Sequence, residues 1–393
     1  MKKTMRVISF LAAFLLLLPG CALEKPPVTT APITTAPVTT APPETTTATT
    51  PPETTAPPET TAPVIMKPTP AETYVLSFAG DCTFGDSYNW GDYSGTFTKV
   101  VKDNYGYPLS NVKDFFQNDD YSLVNLECAL TESDPTEEEM EELKEHTYRF
   151  RGPAEYAQIL VEGGVEFGSC ANNHSRDYGK QGLLDTWDAL EKAEIDYASF
   201  GKSCVTTTES GLTLGIFAVF FNTTKQSVEN TVKYLKNNGA EIIIMSIHWG
   251  DEGTYFPIPM QEDLGHMAID AGVDIVFGHH SHTLMPVEAY HGGIIYYSLG
   301  NFSFGGNRNP ADKDTAILQQ QICRWEDGSV TLGDLTVIPC RVSTVDNWND
   351  FRPTPYKPED PGYDRVIAKL EGTFEDYVVE EPEKTTPPAP AET

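Results

Sequence analysis

Six short apolar runs, each closing on a polar side chain able to hold a metal, constrain this chain more than any other feature. "TYVLSFAGD" ends at Asp81, "YSLVNLE" at Glu127, "VEFGSCANNH" at Asn173 and His174, and "EIIIMSIHWG" just past His248. "VDIVFGHHSH" ends in His279, His280 and His282, three of the chain's eight histidines, and "GIIYYSLGNF" closes at Asn301-Phe302. Runs of four to eight residues rich in Val, Ile, Phe and Tyr read as buried strands. Helical periods lie between them. Leu183, Leu184, Trp187 and Leu190 share one face of a helix expected from about Gln181 to Ala193. Leu264, Met267, Ala268 and Ala271 do the same from about Gln261, with Gly272 as the stop. Strands alternating with helices predict an α/β fold. Downstream, "AILQQQICRW" and "VTLGDLTVIP" flank Asp327-Gly328 and predict a β-hairpin near the C-terminus.

In open α/β sheets, sites form beyond the carboxyl ends of the strands. The regular fall of carboxylates, an amide and imidazoles at those ends predicts one shared site. Asp81, Glu127, Asn173, His248, His280 and His282 are the candidate metal ligands. Mixed oxygen and imidazole donors suit Mn, Fe or Zn better than Ca or Mg. One or two such ions would lower the pKa of a bound water and clamp a phosphoryl group in displacement. His174 is the candidate general acid. Each residue also has a plainer reading: Asp81 and Asn173 as turn residues, Glu127 as a strand-end cap, His174 and His248 as hydrogen-bonded core imidazoles. His279 reads as a supporting residue behind the ligands. His146, His266 and His291 lie away from the strand ends.

Other charged stretches leave two readings open. "TEEEMEELKE" (136–145) reads as a solvated helix in an insertion, or as a lid. Arg149 and Arg151 either supply positive charge to an anionic ligand or sit on the surface. Cys82, Cys128 and Cys170 flank the same strand ends and read as small buried core residues. No two cysteines have CxxC spacing, which argues against a structural zinc site.

The ends of the chain carry a different message. Lys2, Lys3 and Arg6 precede a twelve-residue apolar stretch, Val7 to Leu18, too short for a comfortable membrane span and right for a secretory signal. Gly20-Cys21 resembles a lipobox, so residues 1–21 are expected to be a signal with Cys21 lipidated, plain secretion being the alternative. Residues 22–70, mostly Thr, Pro, Ala and Glu, cannot bury a core and predict an extended stalk. At roughly 3.1 Å per residue its Thr/Pro-rich body, residues 26–70, would reach on the order of 140 Å. The Pro/Glu-rich tail, 379–393, has the same character. Residues 71–378 remain for the folded domain. With 57 acidic against 27 basic residues and a formal charge of −30, the chain is not expected to bind nucleic acid.

"GDCTFGD", "NLE", "ANNHSRDYG", "HWGDE", "GHHSH" and "SLGNF", in this order, resemble the CapA-type poly-gamma-glutamate capsule-synthesis family, a branch of the calcineurin-like metallophosphoesterases. That resemblance implies a four-layer α/β/β/α metallophosphatase-like sandwich with a metal centre at its strand ends. It adds Asp177, Glu252 and Asn301 to His279 as residues lining the site. Departures bear on the metal count. Thr83 stands where the wider superfamily has the His of an Asp-x-His motif, and Glu127 replaces the bridging Asp. Asp86 and Ser281 stand where the family often has a basic residue and a Pro. The expectation is a surface-anchored protein of capsule or poly-gamma-glutamate synthesis or export with a phosphoesterase-type site. The alternative is a non-catalytic polymer-binding accessory on the same fold. Either would meet an anionic envelope polymer or a phosphoester, at the outer face of the membrane, beside a membrane-bound polymer synthase or exporter.

Overall fold

The computed structural model describes residues 69–375 except 92, 145 and 147. The signal segment with Cys21, the body of the Thr/Pro-rich stalk and the 379–393 tail lie outside the described residues.

Elements are numbered in chain order. One sheet contains β1 (Glu72–Thr83), β3 (Tyr121–Leu126), β6 (Phe167–Ser169), β7 (Asp196–Ala198), β14 (Asn301–Phe304), β15 (Asp314–Arg324), β16 (Val330–Arg341) and β17 (Thr354–Pro355). Its order is β17-β16-β15-β1-β3-β6-β7, with β14 joining the end of β1. The second sheet, β12-β13-β11-β10-β9-β8, is built from β8 (Cys204–Thr207), β9 (Thr213–Phe220), β10 (Ile242–His248), β11 (Ile275–His279), β12 (Val287–Tyr290) and β13 (Gly293–Tyr296). A small third sheet joins β2 (Asp86–Ser87), β5 (Phe150–Gly152) and β4 (Ala129–Leu130). The helices are α1 (Phe97–Val101), α2 (Lys113–Gln117), α3 (Glu137–Leu143), α4 (Gln158–Gly163), α5 (Gly179–Lys192), α6 (Lys225–Asn237), α7 (Pro259–Asp270) and α8 (Pro361–Leu370).

Strand parity dictates the layers. Side chains on a strand alternate between faces with a period of two. In β10, Ile242 and Ile244 enter the core between the two large sheets, while Ile243, Met245 and Ile247 face α6 and α7. In β3, Tyr121 and Leu123 point between the sheets, and Val124 and Leu126 point to a core with α1, α2, α4 and α5. Strands covered on both faces read as continuous apolar runs, which is why β3 and β10 are buried throughout. Phe78 packs edge-on against Phe277 and Tyr296, both at 5.2 Å between ring centres, and joins the sheets. The order helix, sheet, sheet, helix is the expected four-layer sandwich.

The expected helices are present as α5 and α7, with one difference: Leu184 is exposed. It lies about 100° around the helix from the buried Leu183, on the solvent side. The expected hairpin is β15–β16, antiparallel and turning through Asp327-Gly328, with Gly328 at φ +81°. This hairpin is not an appendage, because β15 pairs antiparallel with β1 over eight positions, Glu72 to Ala79.

Candidate metal centre

The same parity that builds the core delivers the site. Continuing the inward row of β3 past Leu123 places Asn125 and then Glu127 between the sheets; continuing that of β10 past Ile244 places Ser246 and His248. In β11, Phe277 is followed two residues later by His279. All five side chains are buried. Ser246 Oγ donates to Ser169 Oγ across the sheets at 2.7 Å and lies 3.0 Å from His279 Nε2.

Asp81, at the end of β1, is fully buried. Its Oδ1 accepts from Asn125 Nδ2 at 2.9 Å and lies 3.5 Å from His279 Nδ1; its Oδ2 lies 3.4 Å from His282 Nδ1. Asn125 Nδ2 also reaches Glu127 Oε2 at 3.3 Å. Glu127 Oε1 is 3.7 Å from His248 Nε2. Ligand atoms of Glu127, His280 and His282 all fall within 4.8 Å of one another, and the His248 and His280 rings are 4.5 Å apart. These residues come from β1, β3, β10 and the loop after β11.

Burial, charge and hydrogen bonding set the protonation in this knot. Burial works against ionisation of Asp81, but the His279 and His282 imidazoles beside it outweigh that and hold the carboxyl well below its usual range. Burial and then the Asp81 charge push Glu127 well above its own. Burial lowers His248 and His280, helped by neighbouring imidazoles. His282 is opposed by burial yet lifted to about 9 by the nearby carboxyl groups of Glu127 and Asp81.

Buried polar atoms normally find hydrogen-bond partners, and each exception calls for a cause. Asp81 Oδ2, Glu127 Oε1, both nitrogens of His248, and the Nδ1 atoms of His279 and His280 have none. Unpaired carboxylate oxygens facing unpaired imidazole nitrogens fit a divalent cation, which would also relieve the Asp81–Glu127 repulsion. Two candidate ligands sit on an unusual backbone: His280 and His282 hold φ of +98° and +58°, a region side-chain-bearing residues seldom adopt. The loop is pinned there by Gly253 N–H donating to Ser281 O and by Ser281 Oγ donating to Thr283 O. Ser281, in place of the expected Pro, thus locks the turn by hydrogen bonding.

His174 lies near enough for its charge to act on His280. Its Nδ1 is 2.7 Å from Asp177 Oδ2, which also accepts the Phe150 N–H at 2.7 Å. The Phe150 ring lies 4.5 Å from the imidazole. Asp177 therefore orients His174 by one nitrogen and leaves the other free to face a ligand. Asn301 Oδ1 is 3.0 Å from His282 Nδ1 and steadies that ring. Glu252 is exposed, near enough for its charge to act on Glu127, His280 and His282.

Not every candidate joins the knot. Asn173 is exposed and lines the neighbouring cleft, whereas Asn172, one residue earlier, is buried and bonded to Asn125 Oδ1 at 3.1 Å and Leu126 O at 2.9 Å. Asn125 and Asn172 were not singled out in the sequence, although Asn125 lies two residues before Glu127 and so on its face. Thr83 does not point a donor into the cluster; its Oγ1 donates to Glu127 O at 3.0 Å. Asp86 caps α1 through the Thr98 N–H at 3.0 Å. Arg149 is buried over the Tyr88 ring, and Arg151 pairs with Asp134. Helix α3 is largely exposed and is tied down by its capping box and by Glu139 accepting the Lys180 N–H. Cys82, Cys128 and Cys170 are buried free thiols, those of Cys82 and Cys170 pushed up by burial to about 12.

The family profile described as "Bacterial capsule synthesis protein PGA_cap" matches residues 75–209 and 205–306. The chain is 30% identical over 257 residues to "Capsule biosynthesis protein CapA" of Bacillus anthracis, covering 58% of this chain and 61% of that protein. It is 27% identical over 306 residues to "PGA biosynthesis protein CapA" of Bacillus subtilis, covering 70% and 78%. Among solved structures, Haemophilus influenzae NAD nucleotidase aligns at 12% identity and TM-score 0.38 over 77% of this chain and 63% of that one.

Proposed function

The chain belongs to the bacterial capsule synthesis protein PGA_cap family, and from that premise we propose that it is a metal-dependent hydrolase of envelope-polymer synthesis. The observation that carries this reading is the set of unpaired buried donors on Asp81, Glu127, His248 and His280, faced by the oriented His174.

Glu127, His280 and His282 would hold a divalent transition ion, Mn, Fe or Zn, with His248 and Asp81 completing the site. When bound, that ion supplies Lewis acidity and a water of lowered pKa. The remaining work falls to the chain's own residues. Asp177 keeps the proton of His174 on Nδ1 in the neutral ring and stabilises the imidazolium; protonated His174 donates from Nε2 to a leaving oxygen. Asn125 keeps Asp81 and Glu127 at fixed separation. The sandwich walls exclude water from all but the open side. Because Thr83 is spent on the Glu127 carbonyl, one tightly held ion is the expected complement.

A phosphoester is the favoured substrate class. Cys21 acylation and the Thr/Pro stalk would place the domain at the outer face of the membrane, beside a polymer synthase or exporter. The second reading, a non-catalytic polymer-binding accessory, draws on the Thr83 departure. Metal analysis of the purified full chain, with phosphoester hydrolysis assayed in parallel, separates the two. One transition ion per chain, lost in His280→Ala together with hydrolysis, supports the enzyme. A chain that takes up no Mn or Zn refutes it.

A further inference from the structure

A cleft of about 710 Å³ opens beside the metal centre, between the β6–α5 turn and the β9–α6 turn. Its lining includes Arg176, Phe200, Phe220, Asn173 and Thr224. The wall it shares with the metal centre is specific. Phe220 stacks on His248 at 5.7 Å, and Asn172 links the cleft to Asn125.

Charge sets this cleft apart from the rest of the molecule. The chain carries 57 acidic and 27 basic residues, yet the lining holds one cation, Arg176, and no carboxylate. Arg176 is exposed and lies over the Phe200 ring at 5.7 Å. Arg151, Arg324, Arg341, Arg352 and Arg365 are ion-paired; Arg176, like Arg149 and Arg308, has no carboxylate within ion-pair distance among the described residues, although Glu139 is near enough for its charge to be felt. A guanidinium kept unpaired in so acidic a chain is free to fork onto an incoming anion. The 13-residue α6 also presents its N-terminal turn, Thr224 and Ser227, to the same space, which adds favourable potential for negative charge. Phe200 and Phe220, 6.5 Å apart, supply an apolar wall.

We infer that this cleft is a specificity subsite that binds a carboxylate on the uncleaved part of the substrate, with Arg176 its recognition residue and Phe200 the surface against which the organic body packs. A single guanidinium matches a single negative charge. A phosphoryl dianion would leave charge uncompensated here and belongs at the metal centre. The inference rests on the proposed hydrolase for what is cleaved, but binding at the cleft does not depend on catalysis.

The test uses the full chain and 4-hydroxybenzoate, with phenol as the uncharged control, in titration calorimetry before and after chelator treatment. Binding of 4-hydroxybenzoate is expected in both conditions, with phenol much weaker. One lost charge-assisted contact predicts about a tenfold weakening or more in Arg176→Gln. Arg176→Lys should weaken binding less. Equal binding of 4-hydroxybenzoate to wild type and Arg176→Gln overturns the inference, as does no binding at all. Hydrolysis is then compared for 4-carboxyphenyl phosphate and phenyl phosphate. The inference expects a preference for the carboxylated ester that Arg176→Gln abolishes. Binding that responds to Arg176 while neither ester is hydrolysed upholds the cleft and removes the phosphoesterase reading instead.

Discussion

Asn172 Nδ2 donates to Asn125 Oδ1 at 3.1 Å, and through that bond one buried amide orients another. With its oxygen occupied, Asn125 must turn its own amide nitrogen toward Asp81 and Glu127. Two carboxylates from different strands are thereby fixed by a residue that ligates nothing.

Supporting residues of this kind typically change metal affinity 10–100-fold when removed. Asn125→Ala is therefore expected to weaken Mn or Zn binding by roughly that range, and Asn172→Ala to do so by less. Competition with a metal-chelating dye measures both. Unchanged affinity in Asn125→Ala would show that Asp81 and Glu127 hold their places unaided.

His174→Ala is expected to lower phosphoester turnover by about 10²–10⁴-fold while metal content stays at the wild-type level, the usual loss for a general acid. Asp177→Asn should reduce turnover by a smaller factor, since the His174 ring loses the carboxylate that orients it. Rates measured across pH beside metal content check both. Loss of metal in His174→Ala would move this residue from acid to ligand.

Asp314 is buried between Arg365 and Lys369, whose Nζ atoms and guanidinium reach it at 2.6–2.8 Å. Burial opposes its ionisation, but the Arg365 bond and Lys369 charge prevail and lower its pKa. A lowered folded pKa contributes stability that is present above the ordinary carboxylate range and lost as pH falls through and below it. Breaking a buried pair from one side costs about 3–5 kcal/mol, so Asp314→Asn should be destabilised by about that much at neutral pH. In urea melts the gap between variant and wild type should close as pH drops below ~4. A gap independent of pH would mean that packing, not charge, is lost.

Phe277→Ala removes a fully buried ring that contacts Phe78 across the two sheets. A loss of about 3–5 kcal/mol is expected, read as a lower urea midpoint. A much smaller loss would show that the sheets close over the gap.

The layered fold was legible because its strands announce themselves twice, by apolar runs and by the polar residue at each end. Their positions at strand ends pointed Glu127 and His248 to one region, and they lie 3.7 Å apart. The doublet Asn172-Asn173 was harder. The sequence reading points to Asn173, whereas the turn after β6 sends Asn172 inward and Asn173 toward the cleft. Leu184 was misplaced for the opposite reason, as two adjacent leucines cannot both face a flat sheet. The His280–His282 turn was readable as a cluster, but not its left-handed backbone, which depends on bonds to Ser281 and Gly253 from a distant loop.

The pairing of β1 with β15 has a consequence for how the chain comes into being. β1 opens the domain, yet the partner on one of its sides is made only after every candidate ligand of the site, from Asp81 to His282, has been synthesised. Such distant pairing is slow to form and leaves a bare strand edge in the meantime. A segment beyond the reach of the family match at residue 306 is thus the one that closes the first strand. A chain cut at that boundary would keep all its chemistry and lose the neighbour that shields it from its own copies.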